Sequence, residues 1–271
     1  MGKALIFDRT LCNGCFNCQI ACKDEHVEND WPPYAMAQPD TGQFWMRVTQ
    51  IERGTFPKVK LAHMDLLCMH CDEAPCIKAA TGGAVYKRSD GIVIIDPEKS
   101  KGQKQIIDSC PYGVVYWNEQ LGIPQKCTLC AHLIDRGWKE PRCVEACPTG
   151  ALMFGEYEDL KQTIDAKGAL PLNPELGTKP RVYYVGVPKT SIAGALVDSK
   201  GECLEGADVT AKDTSISKVV ASAKSDNYGD FWLDGLDANK SYDVTISAAG
   251  KTKTVSVSLV KDTNLGDIQV S

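Results

Sequence analysis

No stretch of this 271-residue chain is long and apolar enough to span a bilayer; the densest apolar run, Ile92–Ile95, has the length of a strand. Basic runs are missing, and no basic stripe is interleaved with aromatics, which argues against nucleic-acid binding. Thirty Lys and Arg against thirty-five Asp and Glu leave a net charge of −5, a statement about solubility more than about partners. Phosphate loop, dinucleotide fingerprint and nucleophile elbow are all lacking. The carboxylates are scattered, so no catalytic residue is expected in this chain. Met1–Asp8 carries no apolar core of a secretory signal, and the expectation is a cytoplasmic chain without direct membrane contact, unless a partner exports it. In a reducing compartment dense cysteine reads as metal binding before disulfides.

What the chain does have is cysteine: thirteen residues, twelve of them between Cys12 and Cys147. The first motif is Cys12-x2-Cys15-x2-Cys18-x3-Cys22. At that spacing three cysteines let one loop wrap a cubane, while the fourth, on the following helix, points to a different cluster. A zinc site would need two pairs of ligands instead. The partner motif, Cys127-x2-Cys130-x12-Cys143-x3-Cys147-Pro148, is the same pattern with an insertion, Ala131–Arg142, between its second and third ligands. Paired cysteines so far apart could form a zinc ribbon, but zinc would leave Cys22 and Cys147 without a role. Reciprocal exchange uses every residue: Cys12, Cys15, Cys18 and Cys147 hold one cluster, and Cys127, Cys130, Cys143 and Cys22 a second. The remaining four are Cys68-x2-Cys71-x4-Cys76 and Cys110-Pro111. Where this module would carry its other ligands it has Ala80 and the cysteine-free run Ser100–Asp108. One complete set survives, Cys68, Cys71, Cys76 and Cys110, and the count closes at three [4Fe–4S] clusters.

Cys203 stands apart and reads as a small, partly buried apolar residue. His70 and His132 lie beside ligands and are read as hydrogen-bond donors to sulfur or as interface residues rather than as ligands, since the cysteine count is complete; His26 and His63 give no signal.

Around the cysteines a short unit recurs: a small-residue turn leading into an apolar strand, at Gly83–Tyr86, Cys110–Val115 and Cys147–Leu152. Two of these predict hairpins, turning at Ser89-Asp90-Gly91 and near Leu121-Gly122. The repetition suggests duplicated ferredoxin modules. Residues 24–66 form a cysteine-free insertion in which Phe44–Ile51 alternates like a half-buried strand. A helix is expected over Glu156–Lys167, ended by Gly168, followed by Pro-rich extended chain and a strand at Arg181–Val185 that packs back on the first domain. The tail predicts seven strands, Ile192–Val197, Ala207–Lys212, Lys218–Ala223, Asp230–Leu233, Tyr242–Ser247, Thr252–Leu259 and Gly266–Val270, with turns such as Asp226–Gly229 and Ala249-Gly250. The expected fold is therefore α+β. Duplicated two-cluster ferredoxin-like modules (1–155) are followed by an extended connector (156–190) and an all-β immunoglobulin-like sandwich (191–271).

This cysteine pattern resembles the four-motif iron–sulfur subunits of molybdopterin enzymes of the dimethyl sulfoxide reductase family, departing from them by one lost cluster and a β tail. The strings Cys68-Met69-His70-Cys71, Ala74-Pro75-Cys76, Asp90-Gly91-Ile92-Val93, Ile95–Lys99, Cys110–Gly113, Tyr116–Glu119, Gln125-Lys126-Cys127-Thr128 and Gly177–Tyr184 narrow the resemblance to its transhydroxylase branch. The resemblance implies a non-catalytic electron-transfer subunit in a heterodimer. Its large partner would carry molybdenum on molybdopterin guanine dinucleotide and act on polyhydroxylated aromatics, converting pyrogallol to phloroglucinol. Other readings stay open: the iron–sulfur subunit of another molybdopterin reductase or dehydroxylase, a free polyferredoxin, or a zinc-stapled binding module.

Overall fold

The computed structural model describes residues 2–248 and 250–270. Ala249, half of the turn expected at Ala249-Gly250, lies outside the described residues, as do Met1 and Ser271. The chain divides into two units, Met1–Gln50 with His63–Val187, and Ile51–Ala62 with Pro188–Ser271.

Along the first unit come β1 (Lys3–Asp8), α1 (Asn17–His26) and the hairpin β2–β3 (Arg47–Thr55, Lys58–Leu66), whose tip belongs to the second unit. Next are α2 (Pro75–Ala79), the hairpin β4–β5 (Val85–Lys87, Val93–Ile95), α3 (Gln105–Asp108) and the hairpin β6–β7 (Tyr116–Asn118, Ile123–Gln125). Then follow α4 (Ala131–Ile134), α5 (Arg142–Glu145), β8 (Leu152–Glu156), α6 (Tyr157–Lys167), β9 (Leu170–Pro171) and β10 (Val182–Val185). Helices α2 to α5 have only four or five residues each, too few to hold themselves by their own hydrogen bonds.

The largest sheet of this unit runs in the order β8-β1-β10-β9. Strand β1 is apolar without alternation because both its faces are covered. Leu5 and Phe7 enter the main core, while Ile6 packs with Ile164 and Ala169 on the other side. Its partner β10 is parallel, Leu5 facing Val182, and β8 is antiparallel, Leu5 facing Phe154. Helix α6 stops at Gly168, which takes φ +60°, a left-handed cap that costs glycine nothing. On α1 the buried residues are Cys18, Cys22 and His26, spaced i, i+4 and i+8 on one face. The strand expected at Phe44–Ile51 starts later, at Arg47, and extends to Thr55 as half of a hairpin.

The second unit holds β11 (Thr190–Val197), β12 (Asp208–Asp213), β13 (Lys218–Lys224), β14 (Asp230–Leu236), β15 (Lys240–Ala248), β16 (Lys251–Leu259) and β17 (Thr263–Gln269). They form two sheets, β14-β11-β17 and β13-β12-β15-β16. Between them lies a core that includes Ile192, Leu196, Val209, Phe231, Leu233, Val244, Ile246 and Leu259, supplied largely by alternating inward positions. Buried Tyr242 pins a corner: its hydroxyl donates to the Asp237 carbonyl and accepts from the Asp237 N–H, both at 3.0 Å. Cys203 is exposed rather than partly buried, because it follows the Asp198–Glu202 turn at a single bridge to Val197.

Asp262 gathers the hairpin tip onto this sandwich. Its carboxylate accepts Arg53 Nε at 2.8 Å and Nη2 at 2.9 Å, the Gly54 and Ser191 N–H groups at 2.8 Å, and Ser191 Oγ at 3.0 Å. Burial raises its pKa, but these bonds more than offset that and hold it below the ordinary carboxylate value. Replacing Asp262 by Ala strands several donors, and a loss of about 2–3 kcal/mol is expected by calorimetry. The stabilisation in the native chain is complete above the unfolded carboxylate pKa and disappears as pH falls through the lowered folded value. The variant should therefore converge with the native protein at the acid end; a constant gap down to that range would remove Asp262 from this role.

Candidate metal centres

Three Cys-x-x-Cys loops share one backbone shape. Their third residues, Gly14, His70 and Leu129, all lie in the left-handed region with φ of 70°, 45° and 49°. For His70 and Leu129 that conformation is strained, which argues for a purpose. It turns the N–H inward, so that His70 N–H donates to Cys68 Sγ and Leu129 N–H to Cys127 Sγ, each at 3.4 Å. Cys12, raised by burial, is drawn back by the Gly14 N–H in the same way. The two Cys-Pro-x-Gly turns repeat a second shape, with Gly113 at φ 61° and Gly150 at φ 66°. Burial raises Cys110, against which the N–H groups of Val114, Tyr112 and Gly113 act. At Cys147 burial is outweighed by the Leu152 N–H, the Thr149 hydroxyl and further N–H groups, and the thiol falls below its ordinary value.

The structure brings the cysteines together in neighbouring groups. Cys68, Cys71, Cys76 and Cys110 line one cavity, with Met69, Val93 and Val114 among its walls. Burial first, then the adjacent cysteine Cys68, pushes Cys71 up to about 12. Cys22, fully buried, is raised well above its usual value by burial and then by Cys127 and Cys130. Cys143 is raised by burial and by Cys130, Cys22 and Cys127. Cys12 lies beside Cys147 and Cys15, and Cys18 beside Cys12. The groups also touch one another: Cys127 is raised to about 12 by burial and by Cys68, and Cys143 also feels Cys18. Among the described residues no three His, Cys, Asp or Glu side chains converge on a point as the ligands of one ion would.

This donor set fits iron–sulfur clusters. Thiols this deep and this reluctant to ionise become ligands when a cationic metal core meets them, and inward N–H groups then hydrogen-bond the sulfurs.

Of the polar residues around the thiols, Asp65, His26 and Lys126 escaped the sequence reading, whereas His70 and His132 were singled out. Asp65 is buried, its Oδ2 accepting from Cys18 Sγ at 3.5 Å, and burial lifts its pKa to about 6. His26 stands 3.9 Å from Cys130 Sγ, its ring 4.6 Å from that of Trp45, and burial followed by the charge of His132 lowers it to about 3. His132 does not reach sulfur; it pairs with Glu25 at 2.9 Å and stacks on Trp31. His70 receives the Val93 N–H on Nδ1 at 3.0 Å. Lys126 is buried at the wall of the four-cysteine cavity. No spacing rule announces Asp65 or His26; Lys126 was visible only as the residue before Cys127.

Comparison with known proteins agrees with this geometry. Residues 59–157 match a 4Fe-4S dicluster domain family, and residues 191–271 match a carboxypeptidase regulatory-like domain family. The chain is similar to the pyrogallol hydroxytransferase small subunit of Pelobacter acidigallici, at 44% identity covering 98% of each chain. It is also similar to a sulfite dehydrogenase subunit of Allochromatium vinosum, at 37% identity over 69% of this chain and 84% of the other. A third relative is the arsenate respiratory reductase iron-sulfur subunit of Shewanella sp., at 29% identity over 68% of this chain and 96% of the other.

One contact makes the first loop testable. A Cβ on Gly14 would sit 2.3 Å from His63 Nε2, and the residue is already left-handed. Gly14→Ala therefore meets a backbone penalty of about 1 kcal/mol together with the imidazole. Iron content of the purified protein should fall in Gly14→Ala and recover in part when His63→Ala is added. Equal iron in native and Gly14→Ala protein would show that the loop tolerates distortion.

Proposed function

Because the chain belongs to the family of iron–sulfur subunits of molybdopterin enzymes that includes the pyrogallol hydroxytransferase small subunit, we propose that it holds three [4Fe–4S] clusters and conducts electrons to or from a large molybdenum-containing partner. The ligand sets are Cys12, Cys15, Cys18 and Cys147; Cys127, Cys130, Cys143 and Cys22; and Cys68, Cys71, Cys76 and Cys110. The observation that carries the reading is the single cavity around the last set, which takes four cysteines that are up to 42 positions apart in sequence (110 − 68 = 42). Neighbour relations support an order. Cys18 approaches Cys143 and Cys68 approaches Cys127, so the set containing Cys127 stands between the other two.

Each cluster supplies one-electron redox chemistry when bound. The chain's own residues bury most of the thiols and aim N–H groups at them: all four cysteines of the middle set are buried, Cys110 of one outer set is half-buried, and Cys15 of the other is exposed. The recurring Cys-x-x-Cys and Cys-Pro-x-Gly shapes support descent of the cluster region from duplicated ferredoxin modules. By analogy with the Pelobacter relative, the partner would act on polyhydroxylated aromatics, pyrogallol to phloroglucinol, with molybdenum on molybdopterin guanine dinucleotide, in a cytoplasmic heterodimer. Among the described residues no helix is long and apolar enough to cross a membrane.

Anaerobic purification with metal counting tests this. About twelve irons, four for each of three cubanes, with one molybdenum on a second, larger chain and pyrogallol turnover are expected. About twelve irons on a lone chain without molybdenum would make it a free electron carrier, and zinc in place of iron would end the proposal. The exchanged ligand gives a second test. Cys22→Ala should damage the cluster of Cys127, Cys130 and Cys143 while sparing that of Cys12, Cys15 and Cys18, as read by electron paramagnetic resonance. The reverse pattern would overturn the pairing.

A further inference from the structure

Lys126 is 2% exposed, which is rare for a lysine. Its Nζ donates to the carbonyls of Val93 and Cys127, the latter at 3.1 Å. Those are neutral acceptors. Among the described residues no carboxylate pairs with it, in contrast to Lys87, which also donates to carbonyls of the cluster loops but has Asp72 at 2.9 Å. A buried ammonium without a counter-anion is strongly disfavoured. The side chain lines the cavity of Cys68, Cys71, Cys76 and Cys110. It also adjoins Cys127, whose thiol belongs to the neighbouring set, and its charge opposes the burial-driven rise of both Cys76 and Cys127.

We propose that Lys126 is the shared counter-cation of two adjacent cluster sites, that of Cys68, Cys71, Cys76 and Cys110 and that of Cys127, Cys130, Cys143 and Cys22, and that it holds both reduction potentials up. This rests on the ligand sets proposed above. A cubane on four thiolates is a net anion, and reduction adds one further negative charge without a bond made or broken. A fixed cation nearby favours the reduced form, and in a buried site its effect is little screened. One cation serving both sites favours the electron on either. The set containing Cys12 adjoins the middle set where Cys18 approaches Cys143, and Lys126 is not among the leading influences on Cys12, Cys18 or Cys147. Lys126 is thus a positioning residue for charge rather than a ligand.

The test is a redox titration followed by electron paramagnetic resonance on the intact complex, native and with Lys126→Met, Lys126→Gln or Lys126→Arg. In Lys126→Met two of three midpoints should fall by about 59 mV or more, a tenfold change for a one-electron couple. The third should stay, and Lys126→Arg should keep native values. Unchanged midpoints with all three signals present would overturn the role of Lys126, and so would a fall in Lys126→Arg as large as in Lys126→Met. If Lys126→Met loses iron, the comparison moves to assembly. Full iron in Lys126→Arg with loss in Lys126→Gln supports the charge; loss in both shows that shape decides and overturns it. The native protein separates this from the ligand reading: fewer than three cluster signals there would refute the sets themselves, whatever the variants do.

Discussion

The first unit depends on the burial of thiols. Eight of the twelve cysteines between Cys12 and Cys147 are buried, and most of those are held far from ionisation. Their surroundings are organised to reverse that preference: left-handed residues turn N–H groups to sulfur, and Lys126 stands at the wall of the four-cysteine cavity. Cys76 and Cys143 sit on helices of five and four residues, and such helices have little stability of their own. The fold of this region and the occupation of its sites are therefore one problem, as in small metal-stapled domains. What differs is scale, since the same unit also has a conventional core behind β1 and α6.

Much of this was legible because cysteine chemistry is strict about spacing. The motif around Cys12 forces a loop followed by a helix, and the structure starts α1 at Asn17 with Cys18 and Cys22 on one face. The all-β tail was legible for another reason: strict alternation and Gly or Asp turns leave little freedom, and all seven expected strands overlap observed ones to within a few residues. The boundaries of the units were less legible. Arg181–Val185 was expected as a strand that packs back on the first domain, and Val182–Val185 does pair with β1; what the local pattern does not carry is that the pairing is parallel. Likewise Asp262 sits in a tail loop and Arg53 in the cysteine-free insertion, and nothing in either segment announces their ion pair.

Polar residues near the sulfurs were the least legible. Asp65, His26 and Lys126 each make their contact through tertiary packing, with partners 47, 104 and 33 residues away. Burial, not sequence context, gives them their chemistry. An aspartate on a strand reads as solvent-exposed until the structure covers it, and a lysine before a cysteine reads as a surface charge.

If the region around Cys68 and Cys110 holds one cluster, as proposed, a last physical question is what ties the chain together at Ala80 and Ser100–Asp108, where cysteines are missing. In a ferredoxin module the loop after α2 and the turn before Cys110 would be tied through metal. Here Gln103 does the tying. Its amide accepts the Thr81 N–H at 2.9 Å and donates to the carbonyls of Lys99 at 2.8 Å and Thr81 at 3.3 Å. Ala80, at the position of an expected ligand, packs on the core together with Ile107, while Ile106 is completely buried. On the proposed ligand sets, one amide and a few apolar side chains stand where the ligands of a further cluster would be. Apolar packing of that kind often equals or exceeds a buried polar arrangement in stability, so the fold here does not need a further cluster. What packing cannot replace is the redox site. On the proposed ligand sets, the cavity around Cys68 is then the one redox site of that region.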